Sequence, residues 1–292
     1  MSENERAASR TAVLVCQGRA AADGRAAVGR FADPVAVRLL RAGERAPVDE
    51  VRAGAPPRGR QARMAYEGVR ACAEVVVART VAIDEALRAH PAGQLVILGA
   101  GLDTRAWRLP ELARTDVWEV DHPASQRDKR ARLTEAGPGL PATARSVRFT
   151  PVDFAAGDLG AALAAAGHDP SAPTTWLWEG VVPYLTRDQV RATLTALTAR
   201  TAPGSALVVN YQTPSLKVAA GRLLARLLGD SVTAGEPWRS LWQPARMAVL
   251  LGAYGLRVTS DDDLLAVARS LGTPSRSRTS LASGRVAVAE RR

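Results

Sequence analysis

The chain has 292 residues, 47% of them hydrophobic and 23% charged, with a formal net charge of +10. That composition excludes a disordered tail, a collagen-like fibre and a disulfide-stapled mini-protein, and the length suits one large domain or one domain with an appended cap. Lys129 and Lys217 are the only lysines, and the arginines are scattered among alanines along the chain, so the charge reads as solvated surface and nucleic acid as an unlikely partner.

The apolar patch that follows the charged Met1 to Arg10 is soon interrupted by Arg19 and Asp23, unlike a secretory signal. No run approaches the roughly 18–20 apolar residues of a membrane span. Two cysteines, Cys16 and Cys72, fit a reducing compartment and supply no cysteine-rich metal site. A cytoplasmic protein without a membrane partner is expected. Residues 2–57 read as an irregular helical lead-in, with Ser9-Arg-Thr-Ala opening one helix and Asp33-Pro34 another. Ala53-Gly-Ala-Pro-Pro-Arg-Gly59 marks a loop. Met64, Val69, Cys72, Val76, Ile83 and Leu87 then recur at helical spacing over 61–89, a long helix either continuous or broken in two.

After Pro91-Ala-Gly93 the texture changes. Apolar runs at 94–98, 116–120, 146–150, 174–178 and 205–210 predict strands. Stretches at 103–109, 123–135, 157–166, 187–200 and from 214 onward predict helices. Such repeats imply right-handed crossovers and a parallel sheet covered on both faces. Residues 256–259 and 285–289 are the candidate final strands. The stretch 211–255, with Trp238 and Trp242, far exceeds a typical connection of about 2–6 residues and predicts a lid over the sheet edge. The expected division is a helical cap over 1–90 and an α/β domain over 91–292.

The sharpest feature is Leu95-Val-Ile-Leu-Gly99-Ala100-Gly101-Leu-Asp103-Thr104-Arg105, an apolar strand running through a glycine turn into a helix. In open α/β sheets, ligands sit at the carboxyl ends of the strands, and glycines let the backbone approach them. A dinucleotide fingerprint would carry a third glycine where Thr104 stands, and Asp103 would repel a pyrophosphate. The same carboxylate can accept from an ammonium group, which favours a nucleoside with an amino-acid end, S-adenosylmethionine (SAM). The plain alternative is a β–α turn with Asp103 as helix cap. Asp121 ends the second strand 20 residues after Gly101, the spacing at which an acid meets ribose hydroxyls; it also reads as a helix cap before Pro123. Asp153 and Phe154 end the third strand, where an acid and an aromatic suit an adenine. Glu179 ends the fourth, near the reacting end of such a ligand, with Trp178 and Tyr184 as walls. Alternate tryptophans often mean core packing, and Glu179 can also be a structural carboxylate.

These stretches together resemble the leucine carboxyl methyltransferase family, in particular its bacterial branch of polyketide-associated O-methyltransferases. The resemblance rests on Ser9-Arg-Thr-Ala12, Asp33-Pro34, Ala78-Arg79-Thr80 with Ile83-Asp84, and Leu98-Gly-Ala-Gly-Leu-Asp-Thr-Arg105. It continues through Glu119-Val-Asp-His-Pro123 with Lys129, Pro151-Val-Asp153, and Trp178-Glu-Gly180 with Tyr184-Leu185. It implies a Rossmann-like SAM-dependent methyltransferase fold: a mostly parallel seven-stranded sheet, a helical N-terminal cap, and a lid between strands 5 and 6. By the resemblance, Arg79 pairs with the methionine carboxylate and Gly99 and Gly101 run under the methionine portion. Asp121, beside His122, holds the ribose, Asp153 the adenine amine, and Glu179 lies near the sulfonium. A solvated helix charge is the plain alternative for Arg79.

Methyl transfer from a sulfonium asks mainly for alignment and water exclusion. A carboxylate acceptor needs no base, whereas a phenol of pKa near 10 usually does. His90, His122 and His168 all fall outside segments assigned to the acceptor, and HExxH, paired CxxC and Ser–His–Asp constellations are absent. The expectation is therefore SAM-dependent O-methylation of a small natural-product carboxylate, without a metal, in which Glu179 and Tyr184 only position. The alternatives are a phenolic O-methyltransferase on an aromatic polyketide and a non-catalytic Rossmann-like binding protein.

Overall fold

The computed structural model describes residues 9–154, 157–215, 238–273 and 277–292. In chain order the elements are α1 (Arg10–Ala22), α2 (Ala42–Ala53), α3 (Arg60–Ala89), β1 (Gln94–Leu98), α4 (Arg105–Arg108), β2 (Asp116–Asp121), α5 (Pro123–Glu135) and β3 (Ser146–Pro151). They continue with α6 (Leu159–Ala165), β4 (Thr174–Trp178), α7 (Arg187–Thr198), β5 (Ala206–Gln212), α8 (Pro244–Ala253), β6 (Leu256–Asp263), α9 (Leu264–Ser270), α10 (Arg278–Ser283) and β7 (Gly284–Arg291).

One seven-stranded sheet has the order β3-β2-β1-β4-β5-β7-β6. The first five strands pair in parallel, and β7 runs antiparallel between β5 and β6. The order reverses beside β1, which sends the chain outward to β2 and β3 before it returns at β4. Register decides where the site falls. Leu98 pairs with both Val120 and Trp178, so Gly99, Asp121 and Glu179 leave three adjacent strands at one level.

The central strands β1, β2, β4 and β5 are buried on both faces, as their near-continuous apolar runs require. On one face Leu95, Ile97, Val117, Leu177 and Val208 join Cys16, Leu39 and Ile83 from the N-terminal helices in a single apolar cluster. On the other, Val96, Leu98, Trp118, Trp176 and Trp178 pack with Leu163, Leu194 and Leu251. Period-two alternation thus sends Trp178 into the core. The sequence-based placement of Trp178 as a wall of the site is corrected: it is 1% exposed and does not line the cleft.

The 61–89 pattern forms one unbroken 30-residue helix, and α1 lies against it where Gly18 meets Cys72. The start of helix α2 is held by Glu44, which accepts from Arg41 N at 2.9 Å. The helix expected over 103–109 shrinks to the four residues of α4. Pro110 disfavours α conformation at Leu109, which is extended at φ −94° and ψ 107°. Of the expected lid, residues 216–237 lie outside the described residues; after them, a strap without helix or strand over 238–243 leads into α8.

Candidate functional site

The glycine turn closes over β2: the Gly99 and Ala100 N–H groups both donate to Val120 O, at 2.7 and 3.1 Å. Gly99 has φ +71°, and a Cβ there would stand 2.1 Å from Val181 Cγ2, so only glycine fits. Gly101 has φ +48° and lies under Ala12 of α1. Its N–H donates to Asp121 Oδ2 at 2.5 Å, while His122 N–H donates to Oδ1 at 2.6 Å. The two bonds fix the carboxylate at the rim. Burial pushes Asp121 above the usual carboxylate range, and those N–H groups restrain the rise. His122 is exposed and caps α5, its Nδ1 accepting from Ala124 N at 3.2 Å.

Beneath the turn lies a buried ion network. Arg105 Nε donates to Asp84 Oδ1 and its Nη1 to Glu179 Oε2, each at 2.7 Å, and Nη1 also reaches Asp103. Asp103 additionally accepts from Arg105 N at 2.7 Å. Burial alone would raise Asp103, but Arg105, with Lys129 and Arg19, carries it down to about 2. Burial would likewise raise Glu179; Arg105 and Arg79 hold it below the ordinary range. Arg19 of α1 binds Asp33 at 2.8 Å and Leu102 O at 2.6 Å, tying the N-terminal helices to the turn. Lys129 donates to both oxygens of Glu119 at 2.6 Å and to Asp103 O at 2.7 Å, over the Trp107 ring.

Arg79 Nε stands 2.7 Å from Glu179 Oε1, yet its N–H is not aimed along that line and has no acceptor among the described residues. A buried guanidinium with a hydrogen still to place suits an incoming carboxylate. Together with the fixed Asp121, it gives the cleft groups matched to an amino-acid end and to sugar hydroxyls.

These residues line one cleft of about 680 Å³. Gly99, Gly101, Asp103, Asp121, His122, Asp153, Phe154, Arg79, Glu179 and Tyr184 all border it, so the structure gathers these ten in one place and leaves out Trp178. Sequence reasoning assigned no role to Arg105 or Lys129 and did not single out Arg19. Nothing in a lone arginine shows that it will sit among three carboxylates. It also missed the far end of the cleft, where Gln189, Asn210, Gln212, Trp238, Arg239 and Ser280 take part. His90 and His168 lie elsewhere, bonded to Ala86 O and to Thr174 Oγ1. Among the described residues there is no His/Cys/Asp/Glu group able to hold a metal, and no helix long and apolar enough to cross a membrane.

The strand order, with a glycine turn and an acid on level neighbouring strands, defines a Rossmann-like fold of the SAM-dependent methyltransferase class. The chain belongs to the leucine carboxyl methyltransferase family, whose profile matches residues 12–198. A Frankia alni protein named "Putative S-adenosyl-L-methionine-dependent methyltransferase" is 35% identical over 255 residues, 84% of this chain and 82% of that one. A Mycobacterium avium protein of the same name is 44% identical over 118 residues, 40% of this chain but only 38% of the relative's length. Among solved structures, a "putative methyltransferase" from Thermobifida fusca shares the fold at TM-score 0.56 and 18% identity, over 99% of this chain and 97% of its own. A DUF574 family protein from Streptomyces avermitilis does so at TM-score 0.59 and 13% identity, over 98% of each chain.

Proposed function

We propose that the protein transfers a methyl group from SAM to a carboxylate oxygen of a small acceptor, of natural-product or polyketide-like type. The observation that carries this reading is the convergence of Gly99, Asp121 and Glu179 at the level ends of β1, β2 and β4, facing Arg79. SAM, when bound, supplies a methyl group already activated on a sulfonium.

Arg79 offers its guanidinium to the amino-acid carboxylate, and Gly99 and Gly101 leave room for that portion above the turn. Asp121 accepts the ribose hydroxyls, its oxygens oriented by the Gly101 and His122 N–H groups. Asp153 and Phe154 border the adenine end. Glu179, kept ionised by Arg105 and Arg79, faces the ammonium and sulfonium charges, while Asp103 braces Arg105. Tyr184 walls the acceptor end. The acceptor oxygen forms the new O–C bond, the C–S electron pair stays on sulfur, and a carboxylate has no proton to lose. Alignment of this kind contributes roughly 7–11 kcal/mol to lowering a barrier.

Carboxylate is favoured over phenol because His122, the histidine at the cleft, sits beside Asp121 at the cofactor end, and no imidazole lines the acceptor end among the described residues. Calorimetry with SAM and S-adenosylhomocysteine (SAH) tests the first step: a folded sample that binds neither removes the methyltransferase reading. A methylated product that resists mild base is no ester and removes the carboxylate reading; if its new bond is an aryl ether, a phenol takes the carboxylate's place.

A further inference from the structure

We propose that Arg239 selects an anionic, aryl-type acceptor and loses its hold on the methylated product. The inference rests on the methyltransferase reading and specifies the acceptor end of the same cleft. Three arginines line that cleft among the described residues: Arg19, Arg79 and Arg239. Arg19 is bound to Asp33, and Arg79 stands against Glu179. Arg239 is exposed, and its guanidinium meets no carboxylate among the described residues.

Its backbone is nonetheless fixed. The Arg239 and Ser240 N–H groups both donate to Pro183 O, at 2.6 and 3.2 Å, and Ser240 Oγ donates to Val182 O at 2.9 Å. Trp242 N–H donates to Gln212 O at 2.9 Å, and the Arg187 guanidinium covers the Trp242 ring at 4.8 Å. The strap is thereby pinned to the turn that follows Glu179, and it presents Arg239 in the cleft together with Trp238 and Tyr184. Of the nearby amides, Asn210 Nδ2 donates to Arg285 O, while Gln189 Oε1 accepts from Thr186 N and Gln212 Oε1 from Ser283 Oγ. The acceptor end therefore combines a cation that meets no carboxylate among the described residues with two aromatic side chains, chemistry suited to an aryl carboxylate.

The charge also distinguishes substrate from product. A carboxylate is attracted by Arg239, whereas the methyl ester that replaces it is neutral. Arg239 holds the group only until it is methylated.

The test is calorimetry of SAH-saturated protein with 2-naphthoate, methyl 2-naphthoate and 2-naphthamide as probes. The wild type should bind the acid about tenfold more tightly than either neutral probe. Arg239→Gln should erase that gap while leaving affinity for the ester, and Arg239→Lys should restore part of it. A merely structural arginine would shift acid and ester together. Equal binding of acid and ester by the wild type, a gap that survives in Arg239→Gln, or no binding of 2-naphthoate to SAH-loaded protein overturns the proposal. Failure of SAH itself to bind overturns the methyltransferase reading instead.

Discussion

The two ends of the cleft are built on opposite electrostatic plans. At the turn between β1 and α4, the cations are paired inside the protein before any ligand arrives: Arg105 meets three carboxylates, Arg19 meets Asp33, and Lys129 meets Glu119. These groups are buried, so each must find its partner inside the protein or unfold it. At the far end, the exposed Arg239 meets no internal carboxylate among the described residues. Buried charge serves rigidity; exposed charge on a pinned strap is available to a ligand. The family profile ends at residue 198, so the strap lies outside the part of the chain that carries the match.

The sharpest way to break this contrast is Arg105→Met, which takes the ion-pair partner from the buried Asp103 and leaves Asp84 to Arg108 and Glu179 to Arg79 alone. Loss of about 3–5 kcal/mol is expected in chemical denaturation, against little change in stability for Arg239→Gln. Next comes Gly99→Ala: its methyl collides with Val181 and demands a left-handed backbone. A loss of about 1–3 kcal/mol should appear in thermal unfolding, and calorimetry should show SAH binding lost with it.

Asp121→Asn, keeping shape but not charge, should weaken SAH by about tenfold to a hundredfold without a comparable loss of stability. It should also change the pH profile. Asp121 is raised by burial, whereas Asp103 lies at about 2 and Glu179 below its ordinary range. Acid therefore reaches Asp121 before Asp103 and Glu179: wild-type SAH affinity should fall while those two carboxylates stay ionised, and the Asn variant should lack that decline.

The smallest effect concerns His168, outside the cleft between Trp118 and Trp176. Burial, then Arg200, lowers it from 6.5 to about 4. The unfolded chain takes up the proton first, so stability is full above pH 6.5 and declines as pH falls toward 4. Melting temperatures across that window should fall less steeply for His168→Gln.

The strands were legible because buried parallel strands read as apolar runs; those at 94–98 and 174–178 agree with the structure at both ends. The glycine turn and Asp121 were legible because each rests on local chemistry: a backbone that only glycine adopts, and an acid one strand further on. Trp178 was misread because a strand buried on both faces gives no cue to which face meets the cleft. Arg105 gave no signal because Asp84 and Glu179 lie 21 and 74 residues away in sequence. Arg239 was missed because the strap's place depends on the carbonyl of Pro183, far back along the chain.

The sequence by itself determined the order of the strands, the fold class and the glycine turn with Asp121 beside it, since periodicity and turn chemistry act over a few residues. Tertiary structure alone decided which charges neutralise one another and that the exposed Arg239 lines the cleft. Ion pairing depends on distance in space and on exclusion of water, and neither exists until the sheet and its helical layers have closed.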